Sequence, residues 1–191
     1  MAEETPNVNP APEKVVSAVR KASSVVAWAR DLIISLIVSA FIIVFLYQPV
    51  KVEGTSMLPG LEDQERIFIN KFVYRFNSIE RGDIVVFHPP GPDAPKSYIK
   101  RVIGVEGDRV RIVDGHVYVN GRMLEEPYVP EDYQDIRSYS ELKVPPHCYY
   151  LLGDHRTSSR DSRDFGPVDQ RYIYGKAVFV YWPMEKLGKL R

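Results

Sequence analysis

Ser56 and Lys100 are the two residues of this chain whose types and settings could do chemistry together. Ser56 stands in Glu53-Gly54-Thr55-Ser56-Met57-Leu58-Pro59, directly after an uncharged stretch from Leu32 to Val50. A hydroxyl becomes a nucleophile when a base takes its proton. Lys100 stands in Ser97-Tyr98-Ile99-Lys100-Arg101-Val102-Ile103. Strand alternation there puts Tyr98, Lys100 and Val102 on one face and Ile99, Arg101 and Ile103 on the other. An amine with the ordinary pKa of about 10.4 is under ~1% neutral near pH 8, and lowering it by about two pH units corresponds to roughly 2.7 kcal/mol of differential solvation. An apolar strand face could supply that. Each residue also has an ordinary explanation, since a serine between glycine and proline marks a turn and a strand lysine is usually solvated.

A third segment, Gly153-Asp154-His155-Arg156-Thr157-Ser158-Ser159-Arg160-Asp161-Ser162-Arg163-Asp164-Phe165-Gly166, alternates acids with arginines. Its spacing is not that of a calcium loop, and alternating signs suit a network that fixes a loop in one shape. His88, His116, His147 and His155 lack paired ligand spacing, so no metal is expected, nor any other cofactor. A rival chemistry would be a Ser/His hydrolase using His155 or His88, although both lie in charged or proline-rich loops. From another class comes a membrane-tethered, β-rich binding or scaffold protein without catalysis.

These residues need a frame. The stretch Leu32–Val50 would run about 28 Å as a helix, close to one hydrocarbon core. Gln48-Pro49-Val50-Lys51 offers no Ala-x-Ala-like site, so an uncleaved anchor fits better than an export signal. Lys14, Arg20, Lys21 and Arg30 precede the stretch while Lys51 and Arg66 follow it, which puts the N-terminus in the cytoplasm. The chain is thus expected to divide into a cytoplasmic arm over 1–30, disordered and then helical from Glu13, a transmembrane helix over 31–49 and an extracytoplasmic β-rich domain over 50–191. Lys and Arg number 25, as do Asp and Glu, and no basic cluster stands on a glycine-rich or aromatic-interleaved frame, so nucleic acid is not an expected partner. Membrane lipid is. The single Cys148 excludes an internal disulfide.

Beyond Ser56 the pattern has period two. Arg66–Lys71, Asp83–Phe87, Arg109–Val113, Val117–Val119, Tyr149–Leu152 and Ala177–Trp182 read as strands, with tight turns at Asp114-Gly115 and Asn120-Gly121. The fold class is mostly β, in small antiparallel sheets or a distorted barrel behind one N-terminal helix. The acidic, tyrosine-rich segment Glu125–Tyr139 is expected to be a surface excursion.

Four motifs together carry a resemblance. Gly54-x-Ser56-Met57-x-Pro59, Arg81-Gly82-Asp83-Ile84-Val85, Tyr98-Ile99-Lys100-Arg101-Val102-Ile103-Gly104, and Gly153-Asp154-x-Arg156 through Ser159-x-Asp161-Ser162-Arg163-x-Phe165-Gly166 occur in the order and at the spacing of bacterial type I signal peptidases. From about Leu32 to Trp182 the chain resembles that family. The resemblance implies a membrane-bound serine/lysine endopeptidase on an antiparallel β-sheet domain, removing signal peptides from exported preproteins after small residues (Ala-x-Ala) without a cofactor. It implies Ser56 as nucleophile and Lys100 as general base, with Ser159 orienting the amine. Asp161 with Arg163 would be a supporting ion pair, Asp154 with Arg156 part of the same support, and Val50, Val52, Met57 and Ile99 the lining of the substrate pockets. Gly54 stands where some members carry a hydroxyl that binds the oxyanion, which leaves the Ser56 amide as one donor and the second open between Thr55 and water.

Overall fold

Pro49 decides where the first helix stops. The computed structural model describes the backbone of residues 13–89 and 97–190, and the side chains of 13–25 and 43–45 lie outside the described residues, as does the expected disordered stretch 1–12. Helix α1 (Glu13–Leu46) is followed at once by strand β1 (Tyr47–Lys51). The helix expected over 31–49 is therefore shortened at its C-terminal end: proline lacks the amide a helix needs and biases the residue before it to extended backbone. Among the described residues no helix is long and apolar enough to cross a membrane. On α1, apolar side chains from Leu32 to Ile42 stand exposed on every side of the helix. The chain divides into two units at Phe45 and Leu46.

In the second unit the strands are β2 (Arg66–Asn70), β3 (Ile84–Phe87), β4 (Tyr98–Gly104), β5 (Arg109–Val113), β6 (His116–Val119), β7 (Arg122–Met123), β8 (Tyr139–Lys143), β9 (Cys148–Leu152), β10 (Val168–Asp169), β11 (Ile173–Trp182) and β12 (Gly188–Lys189), with two single-turn helices, α2 (Val73–Phe76) and α3 (Ser162–Phe165). The main sheet runs β1-β2-β11-β3-β4-β9-β10 with β12 on β11, and a smaller sheet runs β7-β6-β5-β8. Every pairing is antiparallel. Alternation explains the two faces of the main sheet: Ile84 and Val86 join Val52, Met57, Ile67 and Ile69 on one side, whereas Val85, Phe87, Val102 and Leu151 pack on the other. The smaller sheet lays Val110, Ile112, Val117 and Val119 against Ile103, Tyr150 and Leu152 of β4 and β9. β3 and β4 are thus buried on both sides, and β4 carries Lys100.

The segment Glu125–Tyr139 runs over the surface as expected, with only Val129 and Asp135 buried among its residues. It crosses back over the polar loop, where Glu126 meets Arg156 and Asp135 meets Arg163. The reason is that the side chains of Arg156 and Arg163 are buried, and a buried cation needs an acid.

The two tight turns separate local from tertiary demands. Asp114 and Gly115, and likewise Asn120 and Gly121, take positive φ, the geometry of a two-residue hairpin turn. A Cβ on Gly121 would meet nothing within 4 Å, whereas one on Gly115 would lie 2.4 Å from the Asp135 carbonyl oxygen. Gly121→Ala should destabilise by about 1 kcal/mol from backbone strain alone. Gly115→Ala should cost at least about twice that, since it must also displace the segment holding Arg163. Denaturant melts compare the two; equal losses would mean that Asp135 moves aside freely.

Candidate active site

The Ser56 loop is hung between β1 and β2. Val52 and Glu65 exchange the first contact beyond the strands, Val52 N donating to Glu65 O at 2.7 Å, and Leu58 N closes a turn onto Thr55 O at 3.2 Å. Val52 and Met57 bury their side chains on either flank of the loop. Gly54, at φ 94°, lets the chain turn there and donates its amide to Asp63 at 2.8 Å. Ser56 itself stays half-exposed at the floor of a cleft.

Lys100 enters that floor from β4 and is only 3% exposed. Its Nζ lies 2.7 Å from Ser56 Oγ and 3.0 Å from Ile99 O, with the Tyr98 ring centroid at 5.0 Å. Burial pulls its pKa from 10.5 down to about 8; the charges of Asp161 and Asp154 pull it up and Arg163 pushes it further down, all less strongly than burial. A sizeable neutral fraction near pH 8 follows. In that form the lone pair can accept the Ser56 proton, leaving two N–H groups as donors.

The polar loop behind the lysine is held by arginines. Arg163 grips Asp161 through Nε and Nη2, both at 2.8 Å; Nη2 also donates to Arg156 O, and Nη1 reaches Asp135. Asp161 also accepts Gly153 N at 3.0 Å and caps α3. The expected Asp161–Arg163 pair is therefore present. The expected association of Asp154 with Arg156 takes a different form: Asp154 pairs with Arg101 of β4 through two hydrogen bonds of 2.9 and 2.7 Å, while Arg156 turns to Glu126 and Gly153 O. Planar guanidinium groups favour the two-oxygen grip that Asp154 and Glu126 can offer. Arg101 and Glu126 were not singled out in the sequence, and the partners of each lie far away along the chain.

Ser159 departs from expectation. Its Oγ is buried and makes no hydrogen bond among the described residues, while Nζ lies within hydrogen-bonding distance of Ser56 Oγ and Ile99 O. Gly153 packs against both serines: a Cβ there would lie 2.2 Å from Ser159 Oγ and 2.5 Å from Ser56 O. The histidines do not approach as bases. His155 turns Nδ1 to Thr55 O at 3.2 Å, and His88 stacks on Tyr174 with centroids 4.7 Å apart.

Val50, Val52, Met57 and Ile99 all line the cleft, which has a volume of about 600 Å³ and is completed by Val86, Tyr98 and Tyr174. A half-exposed serine against a buried amine, at the base of a cleft with apolar and polar walls, can carry out acyl transfer to water.

A family model described as signal peptidase, peptidase S26, matches residues 25–182. The class so defined is that of the serine peptidases, which are hydrolases. Signal peptidase I of Bacillus licheniformis is 35% identical over 178 residues, 88% of this chain and 95% of that protein. Signal peptidase I of Leptolyngbya laminosa is 36% identical over 194 residues, covering 97% and 93%. A solved signal peptidase I from Enterococcus faecalis V583 superposes with a TM-score of 0.45 at 32% identity, covering 52% of this chain and 97% of its own. The chain belongs to the signal peptidase family, peptidase S26.

Holding Lys100 dry has a signature in stability. The fall from 10.5 to about 8 corresponds to roughly 3 kcal/mol against the fold while the unfolded lysine is charged. Between those two pH values the unfolded chain keeps a proton that the folded chain has released, so this contribution makes wild-type stability rise with pH across that window. Lys100→Met should therefore be more stable than wild type at pH 7, by up to about 3 kcal/mol, and the gap should close by about pH 10.5. Urea unfolding of both proteins at the two pH values measures it; a variant less stable at pH 7 would refute the assigned penalty.

Proposed function

We propose that this chain is a membrane-anchored serine endopeptidase that removes N-terminal signal peptides from exported preproteins, with Ser56 as nucleophile and Lys100 as general base. The observation that carries the reading is the 2.7 Å approach of Lys100 Nζ to Ser56 Oγ by an amine whose pKa burial lowers to about 8. The neutral amine takes the hydroxyl proton as Oγ attacks the scissile carbonyl. The resulting oxyanion takes a hydrogen bond from the Ser56 amide. Collapse expels the leaving amine, which receives the proton from the Lys100 ammonium, and leaves an acyl ester on Ser56. The lysine, neutral again, takes a proton from water as its oxygen adds to the ester; collapse breaks the bond to Ser56 Oγ, which takes that proton back from the Lys100 ammonium, and the released carboxylic acid ionises in solvent. Ser159 fits this scheme as acceptor for the remaining amine N–H, which would engage its unpaired buried hydroxyl.

The cleft supports a preference for small residues. β1 lies at the edge of the main sheet, so an extended substrate can pair with its free side while alternate side chains enter the cleft beside Val50, Val52, Met57 and Ile99. The anchor rests on the uncharged sequence from Leu32 onward and on the exposed apolar side chains around α1, a pattern suited to lipid. An anchor in the preprotein's own bilayer raises the effective concentration of both partners.

The base is tested by Lys100→Arg, which keeps the charge but cannot release a proton at working pH. Activity should fall by at least about 10³-fold, as in Ser56→Ala, while wild-type turnover should rise with pH through about 8, on a limb set by amine deprotonation. Ser159→Ala should lower turnover with the fold intact. Near wild-type cleavage by Lys100→Arg would end the serine/lysine reading.

Substrate and orientation are tested together. In spheroplasts, external protease should digest the β domain and spare an N-terminal tag. The mapped product of an exported preprotein should begin directly after a small-x-small sequence, with Ala preferred at both small positions. Efficient cleavage after Phe or Lys would show the cleft to be misread, and a protected β domain would reverse the topology.

A further inference from the structure

His155 holds both peptide groups that flank Ser56. Its backbone N–H donates to Ser56 O at 3.1 Å, and its ring Nδ1 lies 3.2 Å from Thr55 O. A carbonyl oxygen only accepts, so Nδ1 carries a proton in the neutral ring and in the cation alike. The ring is steadied from its other side by Tyr133, whose centroid is 4.1 Å away, on the segment that crosses the polar loop. Close approach of this loop to Ser56 depends on Gly153, where any side chain would collide with Ser56 O.

The Thr55–Ser56 peptide is trans and planar, so the Ser56 N–H points opposite to the Thr55 carbonyl. Whatever fixes that carbonyl fixes the amide. Leu58 N holds it from within the turn at 3.2 Å; His155 holds it from a loop 100 residues further on. Among the described residues the Ser56 N–H makes no hydrogen bond, which leaves it available to an oxyanion. We infer that His155 is a positioning residue: it aims the Ser56 amide at the developing oxyanion by holding Thr55 O through Nδ1–H, and it moves no proton. The inference rests on the reading of Ser56 and Lys100 as nucleophile and base.

Side-chain geometry supplies the test. The amide nitrogen of asparagine reaches about where Nδ1 sits, whereas that of glutamine reaches the position of Nε2. In the full chain, His155→Asn should keep near wild-type kcat. His155→Gln and His155→Ala should lose about 10- to 100-fold in kcat, less than the ~10²–10³ for deleting a donor outright, with KM unchanged. Affinity for a peptide boronate, a tetrahedral mimic, should fall by the same factor in those two variants, and all variants should keep the pH limb near 8 set by Lys100. Wild-type kcat in His155→Ala, an Asn variant as poor as Ala, or a pH limb lost in His155→Ala would each overturn the inference. Lys100→Arg is assayed alongside. If that variant is inactive while His155→Ala is unimpaired, this inference alone fails; if it stays active, the serine/lysine reading fails with it.

Discussion

The structure depends on keeping one amine dry beside a serine without leaving it exposed to unbalanced charge. Burial moves Lys100 toward neutrality, but Asp161 and Asp154 pull the other way. Unpaired, those carboxylates would draw the lysine back toward its charged form. Each is instead matched by a guanidinium, Asp161 by Arg163 and Asp154 by Arg101, with side chains of all four almost fully buried. Arg163 from the loop and Arg101 from β4 thus do more than hold a shape. They quiet the field around Nζ while providing walls polar enough to be fixed by hydrogen bonds.

Those arginines bring requirements of their own. A guanidinium has five donors, and one carboxylate leaves several of them unsatisfied. The surplus is met by the crossing segment, through Glu126 on Arg156 and Asp135 on Arg163, and by the Tyr128 ring 4.0 Å from Arg101. The smaller sheet that presents this segment is therefore part of the candidate site's support, although none of its strands is among the described residues that line the cleft. Turn geometry at Gly115, packed on Asp135, is linked in this way to the loop beside Ser56.

Much of the frame was legible because strand signals are local. The alternation around Lys100 correctly separated Tyr98 and Val102 from Ile99, and the two glycine turns sit where the sequence puts them. Strand β1 was hidden by its continuity with an uncharged stretch, in which Pro49 was the signal that the helix had ended. β8, with Ser140, Glu141 and Lys143 among its five residues, lacks the apolar run that would mark a strand; pairing with β5 creates it. Glu125–Tyr139 lies at the surface as its composition indicates, but which arginines its acids Glu126 and Asp135 meet was not written in neighbouring residues.

By itself the sequence determined the β-rich frame, the motifs that carry Ser56, Lys100 and the Asp161–Arg163 pair, and the family to which they belong, since all of these are written in neighbouring residues. Tertiary structure alone decided that Asp154 takes Arg101, that Arg156 takes Glu126, that Ser159 finds no hydrogen-bond partner among the described residues and that His155 faces the Thr55 carbonyl instead of the Ser56 hydroxyl. The physical reason is that a charge or a hydroxyl has many chemically suitable partners along the chain. Only packing fixes which one lies within 3 Å, and only burial makes that choice strong enough to matter.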